Sequence, residues 1–211
     1  LSRFETDYRD GFRQLLTRGA VFTSAQLEHS PTVTAVGHAT MLSGAVPADS
    51  GIIGNEWYDR ETSATVTSVS DAGVEPLGGT AAGTAASPKR LLVSTIGDEL
   101  KMAQRPGGPA VPRVIGVSLK DRAAILPAGR GADAAYWFDV TTGAFVSSSY
   151  YFPKFPDWAA AFNRRRLADG YAGKTWSLAQ GKPTEPHVMP AAAGAPLYSA
   201  VFASPFGNDL L

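Results

Sequence analysis

Two kinds of hydrophobic pattern alternate along this sequence, and this alternation constrains its fold more than any other feature. Apolar residues recur every three to four positions in some segments, which predicts helices, while β-branched and aromatic residues cluster in others, which predicts strands. The run Val114-Ile115-Gly116-Val117 contains no polar side chain and predicts a strand that is buried on both faces. The sequence therefore predicts an α/β fold. The predicted helices cover residues 4–18, 34–44, 87–105 and 156–170, the predicted strands cover residues 21–27, 62–69 and 114–117 with a hairpin at 134–152, and residues 71–86 and 174–197 are predicted to be irregular.

Charge and composition exclude several classes of protein. The 211 residues include 19 Lys and Arg against 19 Asp and Glu, and the largest basic cluster is Arg164-Arg165-Arg166, so we expect no nucleic-acid partner. No run of about 18 apolar residues is present, so we expect no membrane span. The chain has no Cys, which excludes disulfides, thiolate zinc sites and thiol catalysis. Its three histidines, His29, His38 and His187, lack ligand-like spacing, so the chain is poor in metal ligands.

A threonine at the predicted start of the second helix is the first candidate site residue. Thr34 lies in the segment Pro31-Thr32-Val33-Thr34-Ala35-Val36-Gly37-His38, and Asn55 follows Gly51-Ile52-Ile53-Gly54. Free N–H groups and the positive end of the helix dipole favour both an alkoxide and a phosphate group at such a position. The alternative is that Thr34 only caps a helix and that Asn55 only occupies a turn, since both residue types favour these places.

A second candidate segment directly follows the apolar strand. Ser118-Leu119-Lys120-Asp121-Arg122 falls where catalytic groups gather in open α/β sheets, at the carboxyl end of a strand. Lys120 is a point charge and Arg122 a planar fork of donors, so both side chains can bind an anion. The alternative is a solvated turn of charged residues on the surface.

These two segments resemble the alkaline phosphatase superfamily, in the branch shared by nucleotide pyrophosphatase/phosphodiesterases and PafA-like alkaline phosphatases. Thr34 and Asn55 are 21 residues apart (55 less 34), which matches that branch. The resemblance implies an alkaline-phosphatase-like sandwich, with a mostly parallel sheet between helices and an inserted β-hairpin region. It implies that Thr34 is the nucleophile and a metal ligand, and that Asn55, Lys120 and Arg122 bind the phosphoryl oxygens. It also implies two zinc ions and a periplasmic or secreted location.

The resemblance also divides the chain. We expect a core over residues 1–130 that carries the nucleophile and the phosphate-binding residues, a hairpin and helix insertion over 131–197, and a return to the core over 198–211. The zinc ligands other than Thr34 are expected outside Leu1 to Leu211, so the sequence is interpreted as a fragment. His38 is expected to have a structural role, and His29 and His187 are expected in loops or at the surface.

The expected function is therefore zinc-dependent hydrolysis of phosphate monoesters through a phosphothreonine intermediate in the intact protein. Phosphate esters are the expected partners, and the sequence does not indicate an oligomeric state. One alternative is a phosphodiesterase or nucleotide pyrophosphatase of the same superfamily. A second alternative, from a different class, is that the 211 residues alone are a catalytically inert fragment that binds anions weakly at most.

Overall fold

A computed structural model describes residue 6 and residues 8–79, 85–103, 108, 111–171, 175–176 and 187–188. The chain divides into two compact units, Leu1–Ser30 and Pro31–Leu211. In the first unit, the described residues form one helix, α1 (Gly11–Arg18). The strand predicted over 21–27 is wrong: this segment is irregular, because a strand needs a partner and the described part of this unit supplies none. The predicted start of the first helix, residues 4 and 5, lies outside the described residues.

The second unit alternates helices and strands, as the sequence predicts. No helix among its described residues, or those of the first unit, has the length and apolar character to cross a membrane. Its elements are α2 (Thr34–Ser43), α3 (Pro47–Ser50), β1 (Glu56–Asp59), β2 (Ala64–Thr67), β3 (Pro76–Leu77), α4 (Ile96–Met102), β4 (Ile115–Ser118), α5 (Asp121–Ala128), β5 (Ala134–Asp139), β6 (Ala144–Ser148), α6 (Asp157–Asn163), a 3-10 helix (Leu167–Tyr171), β7 (Thr175–Trp176) and β8 (His187–Val188).

The largest described sheet has four strands in the order β3-β6-β5-β4. β4 and β5 are parallel, and β5 with β6 forms the predicted antiparallel hairpin. Two smaller antiparallel sheets pair β1 with β2 and β7 with β8. The α/β prediction is confirmed, but the expected mostly parallel sheet is corrected to a mixed one over the described residues, with one parallel and two antiparallel pairings. The predicted boundary at residue 130 stays a prediction, although the hairpin that follows it shares its sheet with β4, and residues 198–211 lie outside the described part of the chain.

Strand β5 separates two hydrophobic clusters. Ala135 and Trp137 belong to the main core, with Ala35 and Ala39 of α2 and residues of α5. Ala134 and Tyr136, on the opposite face, pack with Ala159 of α6 and with Phe145, Phe152 and Phe155. Because both faces are covered by helices, residues Ala134 to Phe138 of this strand are all buried.

The neighbouring strand β4 is less buried than the sequence predicts. Ile115 and Val117 are 57% and 63% exposed, so the prediction of burial on both faces is wrong. The described residues place β4 at the end of the sheet, and α5 packs closely against its Gly116 face. An apolar run therefore indicates a strand here but does not reveal its position in the sheet.

The helix predicted from residue 87 begins later, at Ile96. Thr95 and Asp98 form a capping box, in which the Thr95 hydroxyl accepts from the Asp98 N–H and the Asp98 carboxylate accepts from the Thr95 N–H at 2.9 Å. Ser87 instead donates its hydroxyl hydrogen to the Asp71 carboxylate at 2.6 Å. Asp98 also accepts from the Gly131 N–H at 2.6 Å, which ties α4 to the loop between α5 and β5. This capping box and the loop contact define the start of α4.

Replacing Gly116 by Ala is expected to destabilise the fold. A Cβ at this position would clash with the carbonyl oxygen of Ala124, since α5 packs directly on β4. We expect a loss of about 3 kcal/mol in the free energy of unfolding, as for a poorly tolerated overpacking substitution. Gly37→Ala is the matched control: it lies in α2 with open space around it and is expected to stabilise by up to about 1 kcal/mol. Equal effects in denaturant unfolding would contradict the close approach.

Candidate functional site

The hydroxyl of Thr34 lies at the open end of helix α2. Thr34 is the first helical residue, the N-cap is Val33, and no side chain of that residue caps the helix. The alternative that Thr34 serves as the cap is therefore wrong. Its side chain is exposed at a helix end whose first N–H groups have no partner within the helix. The predicted helix is confirmed over 34–43, and Gly44 ends it with a φ of 71°.

Asn55 reaches the same helix end from a loop that follows α3. Its Oδ1 accepts a hydrogen bond from the N–H of Ala35 at 2.9 Å, so it caps α2 from 20 residues further along the chain. Its own carbonyl accepts from the N–H of Ser68 at 3.0 Å. Since Oδ1 is the acceptor in this arrangement, the amide Nδ2 remains a donor at the start of α2. Asn55 is thus more than a turn residue, and the structure brings it together with the start of α2.

Lys120 and Arg122 lie at the start of helix α5, two and four residues after β4 ends. Lys120 is the N-cap, in extended conformation, and is exposed. The Arg122 side chain is only 25% exposed and its Nε lies 3.5 Å from Oδ1 of Asp121. Helices α5 and α2 pack against each other around the main core. The predicted location after the strand is confirmed. The contact between Arg122 and Asp121 was not predicted, although the sequence places an acidic residue directly between two basic residues.

The histidines differ in their surroundings. His38 donates from Nδ1 to the carbonyl of Thr34 at 2.7 Å, because a carbonyl oxygen only accepts. This bond is consistent with the structural role expected for it. His29 is half-buried in an irregular segment, and His187 lies in β8.

The described residues do not form a zinc site. No group of three or more His, Cys, Asp and Glu in the described part of the chain could hold a metal ion. Thr34 would offer one oxygen, which is insufficient where structural and catalytic zinc sites use three or four protein ligands. These residues therefore do not fit a zinc pair by themselves.

The aromatic residues after the hairpin belong to the hydrophobic clusters. Phe152 and Phe155 pack around Tyr136, with ring centroids 5.6 and 6.4 Å from its ring. Tyr151 packs against the main core, and burial raises the pKa of its hydroxyl far above the ordinary range. The Tyr150 hydroxyl donates to the carbonyl of Arg130 at 2.7 Å. Packing therefore accounts for Tyr151, Phe152 and Phe155.

Comparison with known proteins gives a consistent family. The family model described as type I phosphodiesterase / nucleotide pyrophosphatase matches residues 1–196. The alkaline phosphatase PhoV of Synechococcus elongatus is 41% identical over 178 residues, and the alkaline phosphatase PafA of Elizabethkingia meningoseptica is 38% identical over 179 residues. Each match covers 84% of this chain and 32% of the relative. A protein of Myroides odoratus named calcium-transporting ATPase is 40% identical over 177 residues, covering 83% of this chain and 32% of that protein.

Two solved structures of PafA also match. Wild-type PafA has a TM-score of 0.79 at 32% identity, covering 99% of this chain and 44% of that chain. A PafA variant with a Thr-to-Ser substitution and three substitutions to Ala, of an Asn, a Lys and an Arg, has a TM-score of 0.76 at 36% identity; the match covers 85% of this chain and 34% of that chain. The chain spans about a third of the length of the curated relatives that it matches.

Proposed function

This chain belongs to the type I phosphodiesterase / nucleotide pyrophosphatase family, and on that premise we propose that the full-length protein hydrolyses phosphate monoesters through a phosphothreonine formed on Thr34. The observation that carries this proposal is the position of Thr34 beside Asn55 at the open end of α2. A hydroxyl at this helix end lies in the favourable field of the helix dipole, and the Asn55 amide at the same end can supply a further donor to a phosphoryl group.

The proposed reaction has two displacements at phosphorus. Thr34 Oγ1 forms a bond to phosphorus as the bond to the ester oxygen breaks, and the alcohol leaves with a proton. Water then displaces Oγ1, which releases phosphate and restores the threonine. In each step Nδ2 of Asn55 donates to a nonbridging oxygen, where negative charge is concentrated.

Lys120 and Arg122 are proposed to neutralise the remaining charge of a monoester dianion. Charge-assisted hydrogen bonds to phosphate are about twice as strong as neutral ones, and Arg presents two parallel donors. The spacings in the solved PafA variant support the assignment. Its substituted Thr and Asn are 21 residues apart and its substituted Lys and Arg two apart, as are Thr34 and Asn55, and Lys120 and Arg122.

The two zinc ions implied by the resemblance are part of the proposal for the full-length protein only. A bound zinc supplies Lewis-acid activation of a hydroxyl, and its ligands other than Thr34 would have to come from beyond the described residues. We also propose phosphate esters as the substrates and a periplasmic or secreted location, since both follow from the family resemblance.

Replacing Asn55 separates its two roles. Asn55→Asp keeps the acceptor for the Ala35 N–H but removes the amide donor, so we expect wild-type stability with an activity loss of at least about 10-fold. Asn55→Ala removes both groups, so we expect a similar activity loss and, in addition, about 1 kcal/mol of destabilisation from the lost cap. Denaturant unfolding and kcat/KM for a monoester check both variants. Full activity in Asn55→Asp would contradict the donor role.

A phosphodiesterase is the second candidate, and the family description favours it. The test is the ratio of kcat/KM for p-nitrophenyl phosphate to that for bis-p-nitrophenyl phosphate, measured on the zinc-loaded full-length protein. Faster monoester hydrolysis supports the first proposal, while faster diester hydrolysis supports the second.

For the 211 residues alone we propose no turnover; stoichiometric zinc binding with phosphatase activity in that segment would refute this.

A further inference from the structure

The Asp121 side chain contacts Arg122 at two points. Its Oδ1 accepts a hydrogen bond from the Arg122 backbone N–H at 2.7 Å, and the same oxygen lies 3.5 Å from the guanidinium Nε. Both side chains are largely shielded from water, with 19% of Asp121 and 25% of Arg122 exposed. The contact therefore differs from a pair of surface charges such as Lys154 and Asp157, whose side chains are 80% and 90% exposed.

The contact at Nε determines which donors of Arg122 remain free. No other carboxylate among the described residues lies within 4.0 Å of this guanidinium, and its Nη1 and Nη2 groups donate no hydrogen bond to a described residue. Buried polar groups are usually hydrogen-bonded, so two guanidinium amino groups without a partner among the described residues are available to donate to a ligand. Two parallel N–H donors match two oxygens of a phosphoryl group.

We propose that Asp121 is a positioning residue that holds the Arg122 guanidinium at Nε, so that Nη1 and Nη2 face the phosphoryl oxygens. This inference rests on the proposed function, since it assigns the ligand of Arg122 as a phosphoryl group. A free arginine side chain loses rotamer entropy when it is fixed in one geometry. Asp121 restricts that freedom before the substrate binds. Lys120, which is exposed and has no carboxylate partner among the described residues, receives no such support.

A double-mutant cycle in the full-length protein tests this coupling. The kcat/KM for p-nitrophenyl phosphate is measured for the wild type, Asp121→Ala, Arg122→Ala and the double variant. We expect Asp121→Ala to lower kcat/KM by about 10-fold in the wild-type background, within the limit set by the arginine entropy. In the Arg122→Ala background we expect the same substitution to change kcat/KM by less than about two-fold, because the residue through which it acts is gone.

Two further variants separate positioning from folding. Asp121→Asn keeps an oxygen acceptor for the Arg122 N–H and is expected to fold normally while losing part of the activity. Asp157→Ala is the matched control and is expected to leave kcat/KM unchanged, because Asp157 pairs with Lys154 in solvent. An equal loss from Asp121→Ala in both backgrounds would show that Asp121 acts on the helix and not through Arg122.

The cycle also distinguishes this inference from the proposed function. If Arg122→Ala leaves monoester hydrolysis unchanged, the assignment of Arg122 to the phosphoryl group fails, and the role of Asp121 fails with it. If Arg122→Ala lowers hydrolysis but Asp121→Ala and Asp121→Asn do not, only the role of Asp121 is overturned.

Discussion

Replacing Thr34 by Ala is expected to lower kcat/KM for a monoester in the full-length protein by a factor on the order of 10⁴ or more. The reason is that the proposed covalent intermediate forms on Oγ1, and removing a nucleophile leaves only the contribution of the surrounding binding groups. Thr34 is exposed and does not cap α2, so its removal is expected to change the free energy of unfolding by less than about 0.5 kcal/mol. Steady-state kinetics and denaturant unfolding of the same variant measure the two effects.

Thr34→Ser is the control for this prediction. Serine keeps the hydroxyl and removes only a methyl group, so we expect it to retain phosphoryl transfer at a rate far above that of Thr34→Ala. If Thr34→Ala hydrolyses the monoester as fast as the wild type, Thr34 is not the nucleophile, and the proposed mechanism is wrong.

Replacing both Lys120 and Arg122 by Ala is expected to change which ester the protein prefers. Each removed contact is a hydrogen bond to a charged group, worth about 1.5–3 kcal/mol, so monoester hydrolysis should fall by roughly 10²- to 10⁴-fold. A diester carries one negative charge fewer and should lose about 10-fold or less, since less charge is left without a partner. The kcat/KM values for p-nitrophenyl phosphate and its diester, measured on the double variant and the wild type, give the change in the ratio.

A surface lysine supplies the control for the double variant. Lys154 is 80% exposed and pairs with Asp157 at 3.1 Å, so Lys154→Ala removes a positive charge without touching the site. We expect no change in the monoester-to-diester ratio. Equal losses for the two esters in the double variant would show that Lys120 and Arg122 do not distinguish a dianion, and would favour the phosphodiesterase proposal.

The sequence predicted those parts of the fold that depend on local patterns. Helix α2 ends before Gly44, as expected, because a glycine adopts the left-handed conformation there at no steric cost. The β5–β6 hairpin was predicted from two β-rich segments around a turn. The spacing of Thr34 and Asn55 also identified two residues that the structure brings to one helix end.

Features that depend on distant contacts were not predictable in this way. Strand β1 was missed because Glu56 to Asp59 gains its ladder only by pairing with β2. The sequence predicts the start of α4 at residue 87, which is too early, because the capping box of Thr95 and Asp98 begins the helix at Ile96. The close contact between Gly116 and α5 likewise requires the packed structure, because a single glycine in a strand does not reveal what approaches it.

In the site itself, the sequence identified residue types but not their mutual orientation. Asn55 was expected to donate to a phosphoryl oxygen, but its bond to the Ala35 N–H, which leaves Nδ2 as the donor, depends on tertiary structure. The sequence indicates Asp121 only as one charge in a charged turn, and its position against Nε of Arg122 depends on the folded structure.

The phosphorylated residue itself is the most direct test of the proposed mechanism. The full-length protein is mixed with a phosphate monoester, quenched in acid during turnover and digested, and the peptides are examined by mass spectrometry. We expect a phosphoryl group on Thr34 in the wild type and none on that peptide in Thr34→Ala. Turnover with the phosphoryl group on a different residue, or with Thr34 unmodified under conditions in which the intermediate accumulates, would contradict the proposal.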